Sequence, residues 1–108
     1  MIIVQIKRME DGSIRGFSVK GHANYAKRGE DIVCAGVSAV TVGTVNSIEA
    51  LAGVALDAKM RNGFLSADIP DLPDEAVRSK VQLLMESMEL MLQGIAESYG
   101  EYIQIQNK

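Results

Sequence analysis

Apolar and polar positions alternate over residues 2–8, where Ile2, Val4 and Ile6 oppose Ile3, Gln5 and Lys7. That period of two, rich in β-branched residues, predicts a strand. Glu10-Asp11-Gly12-Ser13 is a turn cluster, and residues 14–20 resume an extended pattern with Phe17 and Val19 on one face. Residues 32–51 change character. Their Val and Thr content favours a strand, but 20 residues without Pro or a turn signal exceed an ordinary strand. Val33, Val37, Val40, Thr44, Ile48 and Leu51 fall on one helical stripe, so a helix is predicted. Asp31 is placed to cap its start and Gly53 to stop it. Ala35, Ala39, Gly43, Ser47 and Ala50 form a second stripe of small residues. Two readings stay open for it: close packing of another helix or subunit, or a fit beneath a crowded sheet.

Residues 54–60 and 64–69 read as two more strands, joined through Arg61-Asn62-Gly63, whose Asn-Gly is a strong hairpin signal. Pro70 and Pro73 end that segment, and Asp74-Glu75 opens a second helix over residues 75–98 with negative charge where the dipole favours it. Val77, Val81, Leu84, Met88, Leu92 and Ile95 make its apolar stripe, with Met85, Met88 and Met91 expected as core filling. Gly100 is expected to end the helix, and Tyr102, Ile103 and Ile105 to form a final strand. The order ββαββαβ with two amphipathic helices predicts an α+β two-layer sandwich: a mostly antiparallel sheet with both helices on one face. The other sheet face is left to be covered, and self-association is the common solution.

At 108 residues the chain has room for one domain, spanning residues 1–108. Hydrophobic residues at 47% and charged residues at 23% exclude global disorder. No apolar run is read as reaching the roughly 18–20 residues of a membrane span, so no membrane is expected. The start, Met1-Ile2-Ile3-Val4, lacks the features of a secretory signal, which makes the cytoplasm the expected compartment. A net charge of −3 argues against direct nucleic-acid binding and suits a basic peptide better. One Cys and one His exclude a disulfide and a Cys/His metal cluster, so no metal or other cofactor is expected.

Those two single residues carry the candidate chemistry. His22 follows Gly21 where the second strand meets a polar loop, and Cys34 lies three residues after Asp31 in the first turn of the long helix. Unpaired N–H groups and the helix dipole favour an anion there. A thiolate is a nucleophile, and a nearby imidazole can hold it and later protonate a leaving amine. The backbone N–H groups of Cys34 and Ala35 are candidate donors to a developing oxyanion. Against this stands the ordinary reading of a lone Cys in an apolar helix as a small buried hydrophobe. Asp31 has two open roles, helix cap or a carboxylate that orients His22. Ser38, one turn beyond Cys34, either hydrogen-bonds near the sulfur or simply packs. Gly21 and Gly29 bound the loop as candidate hinges, so residues 23–30 are expected to be weakly ordered until a peptide is bound. Tyr25 is either a substrate contact in that loop or its packing anchor.

Gly21-His22-Ala23-Asn24, followed by Gly29-Glu30-Asp31-Ile32-Val33-Cys34-Ala35-Gly36-Val37-Ser38-Ala39, resembles the signature of the ribosomal-processing cysteine protease family, Prp. Gly43-Thr44-Val45-Asn46-Ser47 and Leu83-Leu84-Met85-Glu86 are similar to it as well. The resemblance implies a small cytoplasmic homodimeric protease. It would remove the N-terminal extension of protein twenty-seven of the large ribosomal subunit, cutting after an aromatic pair. His22 and Cys34 would be its catalytic dyad. Two other classes remain open: a non-catalytic, ribosome-associated dimeric binding module, and a thiol redox sensor built on Cys34.

Overall fold

The computed structural model describes residues 1–27 and 29–108; Arg28, within the loop expected over residues 23–30, lies outside the described residues. The elements run β1 (Ile2–Arg8), β2 (Ile14–Lys20), α1 (Ile32–Ala52), β3 (Asp57–Arg61), β4 (Phe64–Asp68), α2 (Glu75–Ser98) and β5 (Ile103–Asn107). This is the expected ββαββαβ order. The strands form one sheet in the order β3-β4-β2-β1-β5. Only β1 and β5 are parallel; the other three pairs are antiparallel.

Register decides which side chains meet the helices. Val4 pairs with Val19, Ile6 with Phe17, Phe17 with Ala67 and Val19 with Leu65. These apolar rows join Ile48 of α1 and Met85, Met88 and Leu92 of α2 in a single core. Ile3, Gln5 and Lys7 alternate with them and face away from the helices, opposite Lys20, Ser18 and Gly16. That second face is polar and needs no cover, since an antiparallel sheet tolerates water on one side. This face therefore does not by itself call for self-association.

Element ends shift by one to three residues from the sequence reading. β3 begins at Asp57 rather than at residue 54. Gly53 is the left-handed cap of α1, and the Val54 N–H returns to the Ile48 carbonyl, so the next residues are spent leaving the helix. β4 stops at Asp68, although the Ile69 N–H still donates to the Arg15 carbonyl. α2 keeps its expected bounds, Glu75–Ser98, but its cap is Tyr99 rather than Gly100.

The helical faces are also refined. The buried stripe of α1 is Val33, Val37, Thr41, Thr44 and Ile48, so Thr41 replaces Val40, and Leu51 is 70% exposed. Both threonines are tolerated because their hydroxyls donate back to the Val37 and Val40 carbonyls, at 2.8 and 2.7 Å. On α2, Met85 and Met88 fill the core as expected, whereas Met91 is 46% exposed. α1 also corrects the reading of apolar runs: an 18-residue window has a mean hydropathy of 1.4, enough by length and composition for a membrane span. Its buried stripe packs into the core beside the sheet and α2.

Glu89, on the core side of α2, is the one buried charged residue among the described residues. It accepts from Arg8 at 2.6 Å, Asn107 at 2.9 Å and Gln93 at 3.2 Å, tying β1 and β5 to the helix layer. Arg8 also grips Glu86 with both terminal nitrogens, and these hydrogen bonds hold the Glu86 carboxyl below its ordinary range. Removing one partner of a buried pair leaves the other uncompensated. Arg8→Ala is therefore expected to cost about 3 kcal/mol in urea unfolding. A loss below about 1 kcal/mol would show the network to be an exposed pair of the weak kind.

Candidate active site

Three segments converge to build the site. β2 ends at Lys20, and the Gly21 N–H donates to the Gly63 carbonyl at 2.9 Å, fastening the end of β2 to the β3–β4 hairpin turn. Gly21 has φ +91°, and a Cβ there would lie 2.5 Å from the Met1 carbonyl oxygen. The position is thus held by close backbone approach, which corrects its reading as a hinge. His22 follows, and its ring rests on Gly63: a Cβ at that glycine would come within 2.9 Å of Nε2. Gly63 also has φ +73°, so two independent constraints exclude a side chain at the seat of the imidazole.

Cys34 is half-buried in the first turn of α1. Its Sγ accepts from the Ala23 N–H at 3.3 Å. Among the described residues, no hydrogen bond joins Sγ to the His22 imidazole. The two side chains nevertheless line the same two clefts. One cleft, of about 210 Å³, runs between α1 and the β3–β4 hairpin, with apolar walls that include Val19, Val37, Val42, Met60 and Leu65. The other, of about 500 Å³, lies beneath the loop and is walled by Asn24, Ala26, Gly29, Asp31 and Ala35. His22, Cys34, Ser38 and Asn62 belong to both.

Asp31 is the helix cap, and it does more than cap. Oδ1 accepts from the N–H groups of Val33 and Cys34, both at 3.0 Å. Oδ2 accepts from Tyr25 at 2.9 Å and Ala26 at 3.3 Å, in the loop. Desolvation pushes its carboxyl up, but the four backbone N–H groups outweigh that and hold it below the ordinary range. All these partners are backbone; among the described residues none is His22.

The proposed oxyanion donors need correction. The Cys34 N–H is taken by Asp31 Oδ1, and the Ala35 N–H closes the first helical turn on the Asp31 carbonyl at 3.0 Å. The cap that starts the helix uses the amides that an oxyanion would need. Ser38 faces both clefts without a hydrogen bond to the sulfur among the described residues. Gly29 has φ +87° and open space around it, compatible with a hinge. Tyr25 lies edge-on to Tyr99 and Tyr102, at 5.6 and 5.1 Å, and outside the walls of both clefts. In this state its ring is the loop's packing anchor. Asn62 was missed by sequence reasoning, because Asn-Gly accounts for itself as a turn; only the hairpin's approach to His22 exposes its place in the site.

The sequence profile of the cysteine protease Prp family matches residues 1–104. The ribosomal processing cysteine protease Prp of Bacillus subtilis (strain 168) is 39% identical over 107 residues, 97% of this chain and 96% of that one. Its counterpart from Staphylococcus aureus (strain Mu50) is 37% identical, with both chains covered in full. A crystal structure of the essential ribosomal processing protease Prp from S. aureus, with a covalently linked product peptide, superposes with a TM-score of 0.90. It is 34% identical, with both chains covered in full. A second S. aureus structure, in complex with a substrate peptide, gives a TM-score of 0.84 at 32% identity, again with full coverage of both.

Proposed function

The chain belongs to the cysteine protease Prp family, and from that premise we propose that it removes the N-terminal extension of protein twenty-seven of the large ribosomal subunit. The cut follows an aromatic pair, and the enzyme acts in the cytoplasm. The observation that carries the dyad is the convergence of the chain's one His and one Cys on the same two clefts. Cys34 Sγ attacks the scissile carbonyl carbon and a C–S bond forms. The tetrahedral intermediate collapses, the C–N bond breaks, and the His22 imidazolium gives its proton to the departing amine. A water activated by the now neutral imidazole then hydrolyses the thioester and restores the thiol. The first-turn amides are occupied and the Ala23 N–H is on the sulfur, so the Asn62 carboxamide, which lines both clefts, is the side-chain donor assigned to the developing oxyanion. The apolar cleft suits the aromatic residues, and the mildly acidic chain suits a basic ribosomal segment.

The test is incubation with the extended ribosomal protein, read by intact mass. One internal cut after the aromatic pair is expected; an unchanged mass, with a general thiol-protease substrate still cleaved, would reject the substrate and keep the enzyme.

We also propose a homodimer formed through the outer helix layer. From Ile32 to Ile48 no residue of α1 is charged. Leu83 and Leu90 of α2 point away from the core at 70% and 69% exposure, beside a shallow groove bounded by Ala39, Gly43, Ser87 and Met91. Exposed apolar patches of this kind mark interaction surfaces. Sedimentation of the wild type is expected to give a dimer, and Leu83→Asp/Leu90→Asp a folded monomer. A double variant that stays dimeric would place the interface elsewhere.

A further inference from the structure

The sheet face turned away from the helices has an uneven charge that the whole-chain value conceals. Lys7, Lys20, Lys59 and Arg61 lie on it, four of the chain's eleven basic residues, against Asp57 and Asp68, two of its fourteen acidic ones. Register separates the two signs. At the far end, Lys7 reaches over Gly16 to Asp68 at 2.8 Å, with Asp57 paired opposite Asp68. At the active-site end, Lys20, Phe64 and Arg61 stand side by side on β2, β4 and β3, and Lys59 is in the next row. No ion pair engages Lys20, Lys59 or Arg61 among the described residues. Arg61 instead lies over the Phe64 ring, 5.1 Å from its centroid.

We propose that this end of the open sheet face binds single-stranded RNA. Arg61 and Lys59 on β3 and Lys20 on β2, two strand spacings of about 5 Å away across Phe64 of β4, suit a phosphate backbone. An aromatic ring and a guanidinium plane between them suit unstacked bases, which sequence-tolerant sheet binders hold in this way. Ser18, Ser66 and Gln5 add neutral hydrogen-bonding groups in the next row. Arg61 and Phe64 also border the apolar cleft, whereas Lys20 and Lys59 lie outside both clefts, so the patch adjoins the substrate cleft and extends away from it across the open sheet face. It gives the enzyme a hold on RNA next to a ribosomal substrate. The binding claim rests on the sheet face and not on that setting. The expectation of no nucleic-acid contact came from a net charge of −3, which averages over both faces.

Fluorescence anisotropy with a labelled twelve-nucleotide oligouridylate tests the proposal on the intact chain. With about three phosphates neutralised, raising salt from 50 to 200 mM is expected to weaken binding about 20-fold. Lys20→Glu/Lys59→Glu is expected to abolish binding while cleavage of a short peptide is unchanged, which shows the fold and the dyad intact. Phe64→Ala is expected to weaken binding at least about fivefold through lost stacking. Absence of binding at 50 mM salt, or binding indifferent to the double charge reversal, would overturn the proposal. So would equal competition by polyglutamate together with a silent Phe64→Ala, since that describes a generic polyanion surface. Because anisotropy needs no cleavage, failure here is separable from failure of the protease assignment.

Discussion

Cys34→Ala and His22→Ala are each expected to lower cleavage of the ribosomal extension by about 10⁴–10⁶-fold, the range seen when a nucleophile or its base is removed. Neither change should unfold the chain. His22 is exposed and rests on Gly63, and Cys34 is only half-buried. The two residues serve one covalent step, so the double variant should be no slower than the slower single variant. A Cys34→Ser change separates the three classes of function that the sequence alone left open. A binding module would be indifferent to it, and a redox sensor would lose reversible oxidation without losing any cleavage. A protease loses turnover because a serine hydroxyl beside the same imidazole is a far weaker nucleophile. Near-full activity in His22→Ala would remove the imidazole from the mechanism, leaving the Ala23 N–H at 3.3 Å as the one described polar partner of the sulfur.

What the sequence showed and what it hid follow one physical division. Local patterns carried the elements: alternation for β1 and β2, helical spacing for α1 and α2, Asn-Gly for the β3–β4 turn. Length correctly outweighed propensity over residues 32–51, where Val and Thr argued for a strand and a helix formed. His22 and Cys34 stood out as the chain's one His and one Cys, and Asp31 was legible as the cap of α1. Relations between distant segments were not legible. Strand order places the β3–β4 turn beside the end of β2, and that contact alone brings Asn62 and Gly63 to His22. The occupied amides of Cys34 and Ala35 had a similar cause: a good cap was recognised, but not that capping uses the same N–H groups as an oxyanion site. The segregated charge of the open sheet face likewise appears only once register is known.

Asp31→Asn is expected to slow cleavage by about 10²-fold, the scale of a misplacement near 1 Å in a catalytic arrangement, with little change in melting temperature. The carboxylate has two oxygens with two separate tasks. Oδ1 starts α1 by accepting from Val33 and Cys34, and Oδ2 latches the loop by accepting from Tyr25 and Ala26. An asparagine keeps one acceptor, enough for the helix. Its NH₂ group then faces two N–H donors, and the latch fails. Alanine loses both tasks, so Asp31→Ala should also destabilise the fold. The latch and the Tyr25 contacts with Tyr99 and Tyr102 are what opening of the loop must break. Without peptide, amide exchange at Tyr25 and Ala26 should therefore be faster in Asp31→Asn than in the wild type. Ionisation has a definite sign here. The folded carboxyl is held below its ordinary value near 3.9, so the latch is fully formed above that value and is lost as pH falls through the lowered one. Between pH 5 and 8 the wild-type latch does not titrate, so the shape of the pH–rate profile should be the same in Asp31→Asn, with only its height reduced. A changed profile would instead make Asp31 the carboxylate that orients His22. Wild-type turnover with unaltered exchange at Tyr25 and Ala26 would leave it a helix cap alone.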